Sequence, residues 1–523
     1  MRYQKFSPFR RITQGLILLS AIIFMNSCTS DFEERNTDPN RLTSLNASDI
    51  QGLFSGALYG GMNTGPNGTD YQQAQTLFAD IYAQYFAITQ TAFSSDRYNI
   101  VQQWVTYQWR GTYVSTMPSL QTIISETEGD ENLVALNAIA RIWKVFVLHR
   151  TTDYWGPIPY SEIGSTEPVI AYDSQKDIYY DFFKELDEAS TDLENNMDQL
   201  SYGEQDKIYN GDNSKWLKFA NTLRLRLALR ISNVEPAKAK EEAEAAVAGG
   251  VMTDISDDAY LNVSPPSNYN GLARITGWNE FRMSETMESV LKGYEDPRLS
   301  KYFQPAEATG EYNGVRNGMV PAEQTMPENS YPNASNVSEA LTIDKMFVTP
   351  MSVMYSAEAY LLRAEGAFNG WDMGGTPGEL YERGIEMSLR TWGVTDPAVI
   401  ENYINSNNVP MAPGGYFNTP ALTDISVKFS TDPAEQYEQI LTQKWLALFP
   451  DGMEAWAEAR RSNYPRRYSL IHSDNPNVPA DGMISRIPFL EYDRDKNGPA
   501  VEAAEALLNG PDNAATKLWW DVD

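Results

Sequence analysis

Trp216-Leu-Lys-Phe-Ala-Asn-Thr-Leu-Arg-Leu-Arg-Leu227 is a segment in which large apolar side chains recur at helical spacing. Its tryptophan, its phenylalanine and two of its leucines follow one another at intervals of three, four and four residues. That spacing aligns them on one face of an α-helix, and basic side chains flank the face. The segment therefore predicts an amphipathic helix with one buried face.

A second helical segment follows directly after the first. The alanine-rich stretch 237–248 begins after Pro236 and ends at Gly249 and Gly250, residue types that commonly start and stop helices. The two segments together predict a helical hairpin. Three further pairs are predicted along the chain: 133–149 with 177–193, 354–368 with 380–392, and 437–449 with 453–461.

Small residues lie where the paired helices would have to approach closely, among them Ala364, Ala367 and Gly384. Such pairs are typical of tetratricopeptide-like stacking. The fold class predicted is all-α, with tetratricopeptide-like helical pairs that carry long, mostly irregular ligand-binding loops. The main loops are predicted at 60–75, 93–118, 153–174, 253–282 and 303–345, with a tail from 462.

The charge of the chain excludes several classes of function. Its 523 residues contain 41 Lys and Arg against 70 Asp and Glu, a net charge of -29. This balance repels phosphate backbones, so no nucleic acid is expected as a partner. Two histidines and one cysteine also exclude most zinc, haem, iron–sulfur and dithiol chemistry, and we expect no cofactor.

The N-terminal residues 1–27 predict a signal peptide. A cationic stretch precedes an apolar run over 15–25, which is shorter than the ~20 residues that a membrane-spanning helix needs. The residues Met-Asn-Ser-Cys that end at Cys28 resemble a bacterial lipobox, in which Cys28 would be acylated and would anchor the protein. The alternative is a plain signal peptide with an incidental cysteine.

An acidic cluster follows Cys28 at Asp31, Glu33 and Glu34. It resembles the surface-export signal of Bacteroidetes lipoproteins, and the alternative is an ordinary acidic linker. No proline-rich or serine-rich linker divides the rest of the chain. We therefore predict an acylated cysteine with a flexible tether over 28–45 and a single α-helical domain over 46–523.

Five segments of the body occur in an order that is similar to the SusD/RagB family of outer-membrane lipoproteins. Asp153-Tyr-Trp-Gly-Pro-Ile-Pro159 resembles the family's "D-x-x-G-x-[IV]-P" segment, and Tyr294-Glu-Asp-Pro-Arg298 resembles its "D-P-R" turn. The other three are helical segments at 216–230, 356–365 and 443–461. The resemblance covers nearly the whole chain after Cys28.

This resemblance implies a fold, a location and a partner. It implies a helical protein anchored at the outer membrane, facing the cell exterior, with a SusC-like TonB-dependent transporter as its partner. The implied function is to capture oligosaccharides and to deliver them to that transporter. Some members bind peptides, so a peptide-binding, RagB-like uptake lipoprotein is the alternative.

Glycan capture requires flat aromatic faces together with planar amide, carboxylate and guanidinium groups that bond hydroxyls. Two predicted loops concentrate these residue types, and Trp104 and Trp278 are their principal candidates. The alternative for each aromatic residue is packing against the helices, which is the interpretation favoured for Trp155. The full set of predicted ligand-binding residues is Arg97, Tyr98, Trp104, Tyr269, Arg274, Trp278 and Asn279.

An enzyme is the competing class. The sequence lacks the G-x-S-x-G, H-E-x-x-H and P-loop patterns, and neither His149 nor His472 has a partner suggested by spacing. We predict no catalytic residues. A surface glycan-degrading enzyme and a purely adhesive lipoprotein are the less favoured alternatives.

One segment mimics the start of a calcium loop. Asp493, Asp495 and Asn497 occupy its first, third and fifth positions and Gly498 its sixth, but its twelfth position is Ala504 instead of glutamate. The favoured interpretation is a polar turn before a helix that begins near residue 501. Calcium is the only metal for which the sequence offers a candidate.

Overall fold

Helices account for most of the described chain, which comprises residues 45–64 and 69–522 of a computed structural model. The predicted signal peptide, Cys28 and nearly all of the predicted tether lie outside these residues. The chain divides into two units, Met1–Asp49 and Ile50–Asp523, and nearly all described residues belong to the second. The domain boundary at residue 46 stays a prediction.

Fourteen α-helices of eight residues or more occur in the described residues. They are α1 Ala47–Gly61, α2 Gln102–Arg110, α3 Met117–Thr127, α4 Val134–Trp155, α5 Gln175–Asn195, α6 Asn213–Arg230, α7 Pro236–Ala248, α8 Glu285–Gly293, α9 Ser356–Phe368, α10 Pro377–Thr391, α11 Pro397–Ile404, α12 Pro433–Leu448, α13 Gly452–Ser462 and α14 Glu491–Glu505. Across residues 45–64 and 69–522, no helix is long and apolar enough to span a membrane.

Shorter elements connect these helices. The π-helical segments are Gln72–Asp80 and Gly111–Thr116, and the short α-helical turns are Thr69–Tyr71, Gly271–Ile275, Leu299–Tyr302 and Pro321–Gln324. The 3-10 turns are Ser95–Arg97, Gly203–Gln205, Ile255–Asp257, Thr276–Trp278, Pro327–Asn329, Tyr331–Asn333, Glu339–Leu341 and Ile343–Lys345. The strands are β1 Phe86–Ile88, β2 Ala259–Leu261, β3 Phe281–Met283 and β4 Met351–Met354.

The predicted hairpin is confirmed as α6 and α7, which pack against each other. The Asp212 side chain caps α6 by accepting hydrogen bonds from the backbone of Ser214 and Lys215. Helix α7 begins at Pro236 and ends before Gly249, as predicted. The other predicted pairs also form, since α4 packs on α5, α9 on α10 and α12 on α13.

Close helix approach explains the glycine at position 384. A Cβ atom there would lie 2.6 Å from Cγ of Leu361, which is closer than side chains can come. Gly384 therefore lets α10 lie directly against α9. This contact confirms the expectation that small residues mark the paired surfaces.

Two predicted loops differ from the structure. Helix α4 runs to Trp155, six residues beyond the predicted end at His149. The additional turns are held by burial of Thr151, Thr152 and Tyr154. The helix ends before Gly156, whose φ is 84°. The predicted loop over 93–118 contains α2. Its helical pattern is weak because Val105 and Gln108 are its only buried residues.

Two small antiparallel sheets hold distant segments together. In one, β1 pairs with β3, with Phe86 opposite Met283 and Ile88 opposite Phe281. In the other, β2 pairs with β4. The first sheet matters most for function, since each predicted binding loop adjoins one of its strands.

A network of buried ion pairs lies at the centre of the helical body. Arg226 bonds Glu358 at 2.6 Å, and Arg461 bonds Glu365 at 2.7 Å, with every one of these side chains at most 1% exposed. Lys444 bonds Glu365 at the same 2.7 Å. Since each buried charge has opposite charges as partners, the cost of removing it from water is offset.

The segments that resemble the SusD/RagB family supply this network. Asp153 accepts hydrogen bonds from Arg230 at 2.5 Å, Tyr179 at 2.7 Å and Trp520 at 2.9 Å. Trp155 is fully buried, as expected. These segments therefore build the scaffold, and the ligand has to be sought elsewhere.

Candidate ligand-binding site

The β1–β3 sheet places the two predicted binding loops side by side. Beyond the end of β1, the Thr89 backbone N–H donates to the Glu280 carbonyl at 2.9 Å, and the Thr89 hydroxyl donates to the Asn279 carbonyl at 2.8 Å. The chain that leaves β1 towards Phe93 thus runs beside the chain that enters β3 from Trp278. Side chains from these two loops, together with Tyr331 from the predicted loop 303–345, make up what we call the aromatic face, defined as Phe93, Trp104, Arg274, Trp278, Asn279 and Tyr331.

Trp104 lies near the start of α2 and is partly exposed. Its ring centroid is 5.6 Å from that of Phe93, and the two ring planes are inclined by 54°. Phe93 supports one part of the indole and leaves the remainder accessible. Such a supported indole is suited to contact with the apolar face of a sugar.

Trp278 ends a 3-10 turn and is also partly exposed. The Arg274 guanidinium lies 5.4 Å from the centre of its ring, at a distance typical of a cation–π contact. Asn279 follows with a left-handed backbone, and its side-chain oxygen accepts a hydrogen bond from Arg282 at 2.6 Å. The structure therefore brings three predicted residues, Arg274, Trp278 and Asn279, together.

The other three predicted residues are buried. Arg97 bonds Asp474 at 2.7 Å and the Met319 carbonyl at 3.2 Å. Tyr98 donates to the Gly482 carbonyl at 3.1 Å, and Tyr269 packs edge-on against Phe347. The exposed fractions of Arg97, Tyr98 and Tyr269 are 7%, 5% and 3%. These side chains therefore contact other parts of the protein and hold the loops in place. Direct contact of these three side chains with a ligand stays a prediction.

Tyr331 and Phe93 belong to the same surface and were missed by the sequence analysis. The Arg282 guanidinium lies 5.0 Å from the centre of the Tyr331 ring, and Arg282 also bonds Asn279. Burial lowers the pKa of Arg282 to about 10. No sequence signal could have found Tyr331, because its partner Arg282 lies on a distant strand.

A carboxyl group with an unusual pKa lies beside the aromatic face. Glu280 is half-buried and accepts a hydrogen bond from the Gln72 side chain. Burial raises the pKa of Glu280 to about 7, and the bond from Gln72 opposes that rise. Near neutral pH this group can either donate to or accept from a hydroxyl.

A first cavity joins the same two loops further along α2. It has a volume of about 270 Å³, and Tyr107 and Arg110 of α2 line it together with Asn268. The Arg110 guanidinium lies 5.4 Å from the Tyr107 ring centre. Asp70 also lines this cavity; burial raises its pKa and Arg110 opposes the rise. The cavity offers two aromatic rings, those of Tyr59 and Tyr107, and several polar groups, in keeping with a small polar ligand.

The histidines have structural surroundings. His149 is 1% exposed, its Nδ1 lies 3.3 Å from the Val145 carbonyl, and its Nε2 lies 3.9 Å from Glu454. Burial lowers the pKa of His149, while Glu454 opposes that change. His472 is exposed and lies 3.2 Å from Asp474. Neither histidine lies on the aromatic face.

The calcium-like segment covers the first part of α14 and its kink, because the backbone of Asn497 is non-helical and divides α14 into two helical segments. The second segment begins after Asn497, close to the predicted start near residue 501, whereas the first segment from Glu491 was not predicted. Tyr172 donates a hydrogen bond to Asp493, and the Asn497 side chain donates to the Ile170 carbonyl at 2.8 Å. Over the described part of the chain, no group of three or more His, Cys, Asp or Glu residues is placed to hold a metal ion. Calcium binding stays an untested hypothesis beside the favoured polar turn.

Comparison with known proteins identifies the family. A family model described as "Susd and RagB outer membrane lipoprotein" matches residues 35–521. The chain belongs to the SusD-like family. No curated protein matches this SusD-like chain.

Solved structures agree with the SusD-like assignment. A chitin-binding SusD homolog from Flavobacterium johnsoniae is 35% identical, with a TM-score of 0.84; the match covers 91% of this chain and 99% of that one. A SusD-like protein from Bacteroides thetaiotaomicron is 32% identical, with a TM-score of 0.80 and the same coverage. A second chitin-binding protein is 29% identical over 91% of this chain and 100% of that one, with a TM-score of 0.76.

Proposed function

We propose that this SusD-like protein captures oligosaccharides at the cell surface and delivers them to a SusC-like TonB-dependent transporter. The observation that supports the proposal is the aromatic face, which presents two partly exposed indoles, that of Trp104 supported by Phe93 and that of Trp278 beside Arg274. Acylated Cys28 would hold the protein at the outer membrane, facing the exterior. The family's description as outer-membrane lipoproteins supports this location.

The chemistry of the aromatic face suits binding without reaction. Sugar rings present C–H groups that pack against the face of an indole. Arg274 supplies donors to ligand hydroxyls, and Glu280 supplies either a donor or an acceptor near neutral pH. Two such aromatic contacts would give weak to moderate affinity, which is appropriate for a ligand that has to be released to a transporter.

Chito-oligosaccharides are the first ligands to test. Two of the structures similar to this chain are described as chitin-binding, and one of them is 35% identical to it. N-acetylglucosamine units combine a flat apolar ring face with an amide, which matches an indole flanked by polar groups. We therefore infer that an N-acetylglucosamine oligomer binds at the aromatic face.

Calorimetric titration tests this proposal with chitopentaose, cellopentaose and mixed peptides. We expect saturable binding of chitopentaose, with a Kd at least tenfold higher in Trp104→Ala or Trp278→Ala. Trp371→Ala is the matched control, because Trp371 is another partly exposed tryptophan but follows α9; its Kd should change less than twofold. Chitopentaose binding that both site variants leave unchanged would refute the site.

Peptide uptake is the second candidate function. The net charge of -29 favours cationic peptides over anionic ones through long-range attraction. Saturable binding of a peptide, with no heat of binding from either oligosaccharide, would identify the protein as a peptide-uptake lipoprotein. Release of shortened sugars after long incubation would instead identify the glycan-degrading alternative.

A further inference from the structure

A second cavity, which neither Trp104 nor Trp278 lines, lies between the segment 309–334 and the turn Gly414-Gly415-Tyr416. Its volume is about 470 Å³. Tyr416 lies at this cavity and is 52% exposed, and its ring contacts that of Phe417 edge-on at 5.0 Å. Phe417 in turn packs against a buried apolar cluster that includes Val315. The cavity thus has a supported aromatic ring on one wall.

Three asparagines of the cavity present oxygen atoms. The side-chain amide of Asn313 donates to the Thr309 hydroxyl at 2.9 Å, and that of Asn333 donates to a backbone carbonyl at 2.8 Å. The amide of Asn329 likewise donates to a backbone carbonyl, at 3.0 Å. Their donors are therefore used inside the protein. Within the described residues, nothing donates to their side-chain oxygens, which leaves three acceptors for a ligand.

A buried carboxylate adds a fourth acceptor. The Glu285 side chain is 3% exposed and lines the cavity. Its Oε2 accepts from the Thr419 hydroxyl at 2.7 Å, whereas the described residues provide no donor to Oε1. A Cβ atom at Gly415 would lie 2.4 Å from this Oε1. Glycine at position 415 therefore keeps open the space in front of an unpartnered, buried carboxylate oxygen.

The charge balance of the cavity is negative. Glu285, Glu288 and Glu328 line it together with Arg316, and Lys292 pairs with Glu288 at 2.8 Å. These three carboxylates and two cations leave a net charge of -1. Arg316 lies 3.9 Å from Glu285 and donates at 2.6 Å to the Ser469 carbonyl. Burial raises the pKa of Glu285, with Thr419 and Arg316 opposing the rise, so a further cation at Oε1 would stabilise the charged form.

We propose that this cavity binds the ammonium group of an amino-sugar unit, with the sugar ring against Tyr416 and the ammonium bonded to Oε1 of Glu285 and to the asparagine oxygens. An ammonium group brings three donors and no acceptor, which complements a wall of acceptors with a net negative charge. The cavity would then favour a de-N-acetylated unit over an N-acetylated one. This inference rests on the proposed function only in taking the ligand to be a glycan.

Calorimetry on the Trp104→Ala/Trp278→Ala double variant tests the cavity alone. The titrants are three trisaccharides with the same β-1,4 linkage: the glucosamine trimer, its N-acetylated form and cellotriose. EDTA is present throughout. We expect the glucosamine trimer to bind at least tenfold more tightly than the other two. Equal affinities for the three trisaccharides, or no detectable binding of the glucosamine trimer, would overturn the proposal.

Two neighbouring glycines provide a matched pair of variants. Gly415→Ala places a methyl group at Oε1 of Glu285 and should weaken glucosamine-trimer binding at least tenfold. Gly414→Ala is the control, since its Cβ would meet no atom within 4 Å, and binding should stay within twofold. Neither glycine has a positive φ, so the backbone accepts alanine at both. Equal effects of the two variants would refute the site.

A further variant separates lost binding from lost folding. Glu285→Gln keeps the shape and the bond from Thr419 but removes the charge, so it should also weaken glucosamine binding at least tenfold. Thermal unfolding of each variant, followed by circular dichroism, should match the parent within a few degrees. Chitopentaose binding to the wild-type protein tests the aromatic face, and glucosamine-trimer binding to the double variant tests the cavity. The two measurements therefore show separately whether the proposed function or this further site is wrong.

Discussion

Replacing Arg230 by methionine should strongly destabilise the folded protein. Arg230 is fully buried and bonds three carboxylates, those of Asp153, Glu454 and Glu458. Methionine retains much of the side-chain volume but removes the charge. Three buried carboxylates would then lose a shared cation, and Asp153 would keep only its uncharged donors Tyr179 and Trp520.

The magnitude follows from the burial of the partners. Breaking a buried ion pair by removing one member costs about 3–5 kcal/mol of unfolding free energy, because an uncompensated charge remains in the interior. Glu454 keeps Arg226 at 3.7 Å, and Glu458 keeps Arg461 at 2.7 Å, which limits the loss at these two positions. We therefore expect a decrease of about 3–5 kcal/mol and no more.

Urea denaturation followed by tryptophan fluorescence measures this change. Arg383→Met is the matched control, because Arg383 pairs with Glu386 at the surface with 43% of its side chain exposed. Such pairs contribute about 0–1 kcal/mol. An Arg230→Met protein that loses no more stability than Arg383→Met would refute the account of the buried network.

The same variant should change the response to acid. Burial alone would raise the pKa of Glu454 and of Glu458, but the neighbouring cations hold both pKa values below their usual range. Their stabilisation is present above the unfolded pKa of about 4.3 and is lost as the pH falls. Without Arg230 both pKa values rise, so unfolding free energy should fall less steeply below about pH 4.3 in the variant than in the wild type.

Two further predictions concern helix packing and the anchor. Gly384→Ala should lower the unfolding free energy by about 1–3 kcal/mol, because the added methyl group overpacks Leu361. Gly56→Ala in α1 should raise it by about 0.5–1 kcal/mol, because a Cβ atom there meets no atom within 4 Å. Urea denaturation measures both changes, and equal effects of the two variants would contradict the close packing at Gly384. Cys28→Ser should move the protein from the membrane fraction to the soluble fraction of expressing cells, and retention in the membrane would contradict acylation at Cys28.

The helices were predictable because their signals are local. The spacing of apolar residues and the Pro and Gly boundaries of α6 and α7 lie within each helix or next to it, and the observed bounds agree to within a few residues. The second segment of α14 was predicted to begin near residue 501, and the first segment, which begins at Glu491, was not predicted. Pro499 and a non-helical backbone at Asn497 lie inside α14, and both are features that normally mark a boundary.

The site was only partly predictable because burial depends on distant partners. The residue types that suggested ligand contact at Arg97 and Tyr98 also suit internal bonds, and their partners Asp474 and Gly482 lie far along the chain. Trp278 and Arg274 are one helical turn apart, so their contact could be anticipated. The free oxygen of Glu285 and the space at Gly415 depend on tertiary structure alone.

A crystal structure of the protein with bound chitopentaose tests the central claim most directly. A pyranose ring should pack against the indole of Trp104 or Trp278, with a hydroxyl or amide of the sugar bonded to Arg274, Asn279 or Glu280. An oligosaccharide bound elsewhere on the molecule, with both indoles free, would contradict it.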